Sequence, residues 1–233
     1  MSAKVKGKAS SVDRTGQART RLARRAVVEA ARDLFVDKGY AATTIEAISE
    51  RSDVPPATIY RLFSSKLGIL KALLDTSIAG DDQGLTLQGR PEVAVLFAEA
   101  DPEKLLAGFA SISVGINTRS SDIYSILLSA AAADPEAATL LANYTKMRDL
   151  GQGLIAATLA RAGALRPGVR EHDAADIIHA LMSPELYRLL VVDRGWSPQG
   201  YQRWLARVLA DHLLPPGQEK PPPRRRTDRR PRV

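Results

Sequence analysis

The sequence predicts an all-α protein, in which an N-terminal three-helix helix-turn-helix head is joined to a larger C-terminal helical domain. Alanine, leucine and arginine are abundant while aromatic residues make up 5% of the chain, a composition that favours packed helices. Helix-start patterns recur along the second half, and no stretch alternates apolar and polar residues as a strand would. Cysteine is absent, which excludes disulfides and thiolate chemistry.

Composition divides the chain into four predicted parts. They are a disordered basic arm at residues 1–18, a helix-turn-helix head at 19–80, a larger helical domain at 81–214 and a disordered Pro/Arg-rich tail at 215–233. The boundary between head and larger domain is placed where glycine and aspartate interrupt the helical pattern, at residues 80–84.

The charge is unevenly distributed along the chain. The formal net charge is +6 over residues 1–66, −4 over residues 67–216 and +5 over residues 217–233. Two basic ends around a mildly acidic middle predict that the ends face a polyanion.

The first helix is predicted from about Arg19 to Lys38, ending at Gly39. Its apolar residues recur at helical spacing and form one stripe, made of Val27, Ala30, Ala31, Leu34 and Phe35.

Two short helices separated by a tight turn follow, over about residues 44–63. Thr43 and Glu46 have the spacing of a capping box that starts the first of them. Asp53 tolerates a left-handed turn, and Pro56 suits the first position of the second helix, which runs to about Phe63. This spacing is typical of a helix-turn-helix, whose second helix reads the DNA major groove. The alternative at this point is an αα-corner without any role in DNA binding.

The residues around this motif resemble those of the TetR family of bacterial regulators. The resemblance is dense over residues 20–75 and rests on the segment that runs from Arg21 to Tyr40, on Thr43-Thr44-Ile45, on Thr58-Ile59-Tyr60-Arg61-Leu62-Phe63 and on Lys66. It implies a dimeric, ligand-responsive DNA-binding protein whose fourth helix links the head to an effector-binding and dimerisation domain.

The resemblance also implies which residues contact DNA. Thr44, Tyr60 and Lys66 would touch phosphates, while Thr58 and Arg61 lie on the recognition helix and suit a thymine methyl and a guanine edge. The full predicted DNA-binding set is Thr43, Thr44, Pro55, Pro56, Ala57, Thr58, Tyr60, Arg61 and Lys66.

The remaining helices are predicted from their start patterns. Ser65 precedes a fourth helix that runs to about Ala79. In the second half, a capping residue followed by proline occurs four times, at Asp101, Asp134, Ser183 and Ser197. The predicted helices are 91–99, 102–116, 121–132, 135–162, 171–182, 184–193 and 198–213.

The effector pocket is expected among the middle helices, and the dimer face among the last ones. Polar residues that interrupt apolar stretches are the candidates for lining the pocket: Asn117, Tyr124, Asn143, Tyr144 and Arg148. The final helices are too apolar for both to face water, so part of their surface is expected to pair with a second subunit. The candidates are Leu186, Leu190, Trp204, Leu205 and Val208.

Other classes of function are disfavoured. His172 and His179 are seven residues apart, whereas two metal ligands on one helix are normally four apart, so neither a metal site nor a cofactor is expected. No GxSxG or complete phosphate-binding loop occurs, and the chain is not expected to be an enzyme.

No apolar run of 18 residues predicts a membrane span and the N-terminus does not resemble a signal peptide, so a cytoplasmic, nucleoid-associated bacterial protein is expected. The alternatives are a constitutive, architectural DNA-binding protein without an effector, and an adaptor whose helix-turn-helix binds protein.

Overall fold

A computed structural model describes residues 9–80 and 90–216. Every regular element in these two ranges is a helix, which confirms the all-α prediction. The helices are α1 (Ala9–Ala42), α2 (Ile45–Ser52), α3 (Pro56–Phe63), α4 (Lys66–Ala79), α5 (Pro91–Phe97), α6 (Pro102–Ala131), α7 (Pro135–Arg161), α8 (Glu171–Leu181), α9 (Pro184–Tyr187, continuing as a π-helix over Arg188–Asp193) and α10 (Pro198–Leu213). No described helix is long and apolar enough to cross a lipid bilayer.

Helix starts that carry a capping residue followed by proline were predicted correctly, because they depend on neighbouring residues. Asp101 accepts hydrogen bonds from the amides of Glu103 and Lys104, and Asp134 caps α7 in the same way. Ser183 and Ser197 each accept one amide three residues on. All four predicted starts in the second half are confirmed.

Two predicted boundaries are wrong. Helix α1 begins at Ala9, so residues 9–18 are helical where a disordered arm was predicted; this segment contains no proline, and a helix already formed downstream extends through it at little cost. Residues 102–132 were predicted as two helices but form the single helix α6. The hydroxyls of Thr118 and Ser120 donate to the carbonyls of Val114 and Ile116, at 2.7 and 2.9 Å, so these polar residues are accommodated within the helix.

Some predictions lie outside the described residues. These are residues 1–8 of the arm, residues 81–84 of the proposed boundary and residues 217–233 of the tail.

Two clusters of buried side chains form the core. The first joins α1–α4 and continues into the larger domain through Ile123, Leu127 and Tyr144. The second holds α5–α10 together and includes Phe109, Ile155, Leu205 and Leu209. The first cluster therefore packs the head directly against α6 and α7.

Candidate DNA-binding surface and effector cavity

The turn between α2 and α3 has the backbone that its sequence predicts. Asp53 is left-handed, with φ 54° and ψ 31°, and α3 begins with Pro56 at its first position. Ser49 Oγ donates to the carbonyl of Val54 at 2.8 Å, which closes the turn. Burial of Ile48 and Ile59 then holds the two short helices together.

Helix α3 presents a continuous outer face. Pro55, Pro56, Ala57 and Arg61 are exposed, Thr58 is half-buried, and Tyr60 retains 50% of its accessible surface. The Arg61 guanidinium has no hydrogen-bond or ion-pair partner among the described residues, so its donors are available to a ligand. The outer face of α3 is thus open to solvent, as a groove-reading surface requires.

The structure separates the roles of the two adjacent threonines. Thr44, not Thr43, caps α2: its Oγ1 accepts the amide of Ala47 at 3.1 Å. Thr43 is 1% exposed, and its hydroxyl lies 2.9 Å from the carbonyl of Gly39, to which it donates. The predicted capping box at Thr43 and its predicted DNA contact are both wrong, because the end of α1 encloses this side chain. Thr44 remains exposed.

Lys66 is half-buried and bonds to the backbone at the end of α1. Its Nζ donates to the carbonyls of Tyr40 and Thr43 at 2.7 and 2.8 Å, and it lies 4.3 Å from the centroid of the Tyr40 ring. Burial lowers the pKa of this ammonium, and the carbonyl oxygens and the ring offset that cost by stabilising the charged form. Lys66 therefore joins the start of α4 to the end of α1, so it is not the free phosphate donor that was predicted.

A substitution of Lys66 distinguishes its structural role from the predicted phosphate contact. Lys66→Met leaves two carbonyls without their partner, so we expect the free energy of unfolding to fall by about 1–3 kcal/mol. Thermal unfolding measures this fall, with Lys38→Met, a change at an exposed lysine of α1, as the matched control. Unchanged stability together with a weaker salt dependence of DNA binding would restore the phosphate role.

A cavity of about 600 Å³ lies between the head and the larger domain. Its size is typical of a small-molecule site. Helices α1, α4, α5, α6 and α7 supply its walls, together with Met182 at the end of α8. The lining residues are Arg24, Lys71, Ala72, Asp75, Thr76, Ile78, Ala79, Val93, Phe97, Phe109, Ile112, Ser113, Ile116, Asn117, Tyr144, Met147, Arg148, Gly151, Gln152, Leu154, Ile155 and Met182.

The predicted effector residues divide into two groups. Asn117, Tyr144 and Arg148 line the cavity. Tyr124 does not; its hydroxyl donates to Glu185 at 2.6 Å, and burial raises its pKa. Asn143 is exposed on the outer side of α7, so its prediction is wrong. The apolar lining and the contribution of α4 were missed, because apolar residues of a cavity and of a core have the same sequence pattern.

The predicted dimer residues differ in exposure. Leu205 is fully buried within its own chain, so its assignment to an interface is wrong; it repeats with Tyr201 and Leu209 at the four-residue spacing of the inner face of α10. Leu186, Leu190, Trp204 and Val208 are half-buried. More exposed apolar side chains lie nearby, at Leu189 and Val192.

The two histidines of α8 have separate partners. His172 Nδ1 lies 3.0 Å from Asp173, and His179 Nδ1 lies 2.8 Å from Asp149 and 2.8 Å from the amide oxygen of Gln152. Each histidine thus has an acidic partner of its own, which is Asp173 of α8 for His172 and Asp149 of α7 for His179.

Comparisons with known proteins identify the head. The family model described as bacterial regulatory proteins, tetR family, matches residues 27–73. An uncharacterized HTH-type transcriptional regulator of Bacillus subtilis, YvkB, is 48% identical over 48 residues, or 21% of this chain and 25% of that protein. The chain thus matches about a quarter of the length of its curated relatives.

Solved structures extend the likeness to the whole fold. A protein from Saccharomonospora viridis, crystallised in complex with choline, has a TM-score of 0.63 at 21% identity, over 82% of this chain and 97% of that one. NalD of Pseudomonas aeruginosa, the secondary repressor of the MexAB-OprM multidrug efflux pump, has a TM-score of 0.61 at 21% identity, over 82% and 96%. Residues 27–73 thus match the DNA-binding domain of the tetR family of bacterial regulatory proteins, and the described fold is similar to the folds of these two solved structures.

Proposed function

We propose that the chain is a homodimeric transcriptional repressor that binds a palindromic operator through its two heads and releases it when a small molecule enters the cavity. It would act in the bacterial cytoplasm, at the nucleoid, as a regulator and not as an enzyme. The observation that carries the proposal is the shared wall of the cavity. Ala72 and Thr76 of α4 face the same space as Asn117 of α6 and Gln152 of α7, so a bound molecule touches both the head and the larger domain.

The connection between α4 and α6 supports this mechanism. Arg119 of α6 donates to the carbonyls of Ser77 and Ile78 at 3.0 and 3.2 Å, where α4 ends. The linking helix is thus fixed to the larger domain at its C-terminus and faces the cavity along its middle. A molecule that separates α4 from α6 and α7 would tilt the head about this fixed end, and DNA and effector would oppose each other reciprocally.

Two-fold symmetry follows from the small size of one head. A single recognition helix makes too few contacts for a specific site, so two heads about one helical turn (~34 Å) or a multiple apart are expected on a palindrome. The exposed apolar residues Leu189 and Val192, beside half-buried Leu186 and Leu190, are the proposed dimer surface.

The first experiment measures binding to the DNA upstream of the protein's own gene and to random DNA across a salt series. We expect a protected palindrome and selective binding. Arg61→Ala should weaken operator binding by about 1–3 kcal/mol, roughly ten- to a hundredfold, because it removes a bidentate base contact, and should change random binding little. Arg207→Ala, at an exposed arginine of α10, is the matched control.

Equal affinity for both DNAs, with a steep salt dependence alone, would contradict the proposal and favour the alternative of a constitutive DNA-binding protein without an effector. Absence of any salt-dependent DNA binding would favour an adaptor that binds protein.

A further inference from the structure

We propose that the cavity binds an apolar organic acid whose carboxylate accepts hydrogen bonds from Asn117 and from neighbouring donors of α7. This inference rests on the proposed function, because it names the chemical class of the effector.

Asn117 provides the first observation. It lies in the middle of α6, is 3% exposed and lines the cavity. Its Nδ2 is buried and has no hydrogen-bond partner among the described residues. An unpaired buried donor is destabilising, and such groups in native structures call for an explanation. The amide turns readily about χ2, so a ligand oxygen in the cavity would supply the missing acceptor.

Gln152 presents a second donor. His179 Nδ1 lies 2.8 Å from the Gln152 amide oxygen and 2.8 Å from a carboxylate oxygen of Asp149. Because both neighbours are acceptors, the hydrogen lies on Nδ1 and the oxygen of Gln152 is occupied. The amide nitrogen of Gln152 is then left to donate, and Gln152 lines the cavity.

Tyr144 and Arg148 add donors on the same helix. Burial raises the pKa of Tyr144, so its hydroxyl stays protonated. The Arg148 guanidinium donates to the carbonyl of His179 at 3.3 Å, which occupies one of its five hydrogens. The polar groups that reach the cavity from α6 and α7 are thus mainly hydrogen-bond donors.

The charge of the lining also favours an anion. Arg24, Lys71 and Arg148 are cationic and Asp75 is anionic, which gives a formal charge of +2. Asp75 is bound to Lys71 at 2.6 Å near the exposed rim, so it does not neutralise Arg148. The nearby carboxylates of Asp149 and Glu185 are bound to His179 and Tyr124. Neither of these two carboxylates lines the cavity, and Asp75 is the one acidic residue among the described lining residues.

Apolar side chains form the rest of the walls. Phe97, Phe109, Ile112, Ile116 and Ile155 face the cavity. A space of about 600 Å³ with this lining suits an extended hydrocarbon or aromatic body that carries one carboxylate.

Three probes with the same eight-carbon chain test the class: octanoate, 1-octanol and octyltrimethylammonium. Binding to the full-length protein is measured by isothermal titration calorimetry, without DNA. We expect octanoate to bind at least about tenfold more tightly than octanol, since hydrogen bonds to a charged acceptor are stronger, and the cation to bind most weakly. Equal affinity for octanol, a preference for the cation, or binding of none of the three overturns the proposal.

Substitutions of Asn117 test the principal contact. Asn117→Leu should weaken octanoate binding about tenfold and octanol binding by less, because the lost amide donor makes a stronger hydrogen bond with a carboxylate than with a hydroxyl. Asn117→Asp replaces donors by a negative charge and should place octyltrimethylammonium ahead of octanoate. Asn143→Leu, at the exposed asparagine of α7, is the matched control. Full octanoate affinity in Asn117→Leu overturns the assignment.

Two further readouts keep the result interpretable. Removal of an unpaired donor should leave the melting temperature of Asn117→Leu unchanged or raised, so a loss of binding would not reflect unfolding. Operator binding is measured separately. Selective DNA binding without octanoate binding overturns only the ligand class, whereas octanoate binding without selective DNA binding overturns the proposed function.

Discussion

Gly68→Ala is expected to lower the free energy of unfolding by about 3 kcal/mol, at the upper end of the usual cost of overpacking. Gly68 lies in the first turn of α4, where its amide donates to the capping Ser65 hydroxyl at 3.1 Å. A Cβ at this position would overlap the carbonyl oxygen of Phe63, which is a backbone atom. That carbonyl also accepts the amide of Ser65 at 2.8 Å, and the intervening Ser64 has φ 66°. The Phe63 carbonyl cannot move without opening the turn between α3 and α4.

Helix propensity predicts the opposite sign for this change, since alanine favours a helix over glycine by about 0.8–1 kcal/mol. Gly153→Ala in α7 is therefore the matched control, because nothing lies within 4 Å of its Cβ position. Thermal unfolding should show Gly153→Ala slightly more stable and Gly68→Ala lower by about 6–12 °C. A stabilised Gly68→Ala would contradict the geometry of the α3–α4 turn.

Features set by neighbouring residues could be predicted from the sequence. The caps at Asp101 and Asp134 and the left-handed Asp53 each depend on a few adjacent positions, and all three were found where predicted. The head was predicted in most of its detail for the same reason, since α2, α3 and the turn between them are short and local.

Features set by tertiary contacts could not be predicted. Thr43 and Thr44 are equally good capping residues, and only the packing of the end of α1 decides that Thr43 is buried. Asn143 and Tyr144 are adjacent on α7, so only one of them can face the cavity, and the sequence does not say which. Leu205 is apolar, as core and interface residues both are, so only the packing of α10 decides between the two locations.

Polar residues that follow an apolar stretch can mark either the end of a helix or a binding site within it. A helix was predicted to end at Ile116, yet the hydroxyls of Thr118 and Ser120 donate to carbonyls of the same continuous helix. Asn117 in the same stretch lines the cavity with an unpaired donor. The gap left between the two predicted helices, at residues 117–120, thus includes the residue of α6 that contributes an unpaired donor to the candidate site.

Filling the cavity from its α4 wall is expected to abolish effector binding and to weaken operator binding in the absence of any ligand. Ala72 is buried, belongs to the head-linking helix and lines the cavity. In Ala72→Phe, the ring would take up part of the space of about 600 Å³, so we expect ligand affinity to fall at least about a hundredfold, or about 2.7 kcal/mol. The ring would also separate α4 from α6 and α7 as a bound effector is proposed to do.

The two effects of Ala72→Phe test the coupling between cavity and head. Calorimetry with octanoate measures the first, and operator affinity without effector measures the second, with Ala94→Phe on the exposed face of α5 as the control. A state that mimics the bound form should bind the operator about tenfold less tightly, or about 1.4 kcal/mol, which lies within the usual range of coupling energies. If Ala72→Phe loses ligand binding but retains full operator affinity, occupancy of the cavity does not move α4. The effector would then have to act on the separation of the heads through the dimer surface, because Arg119 would still hold the end of α4 to α6.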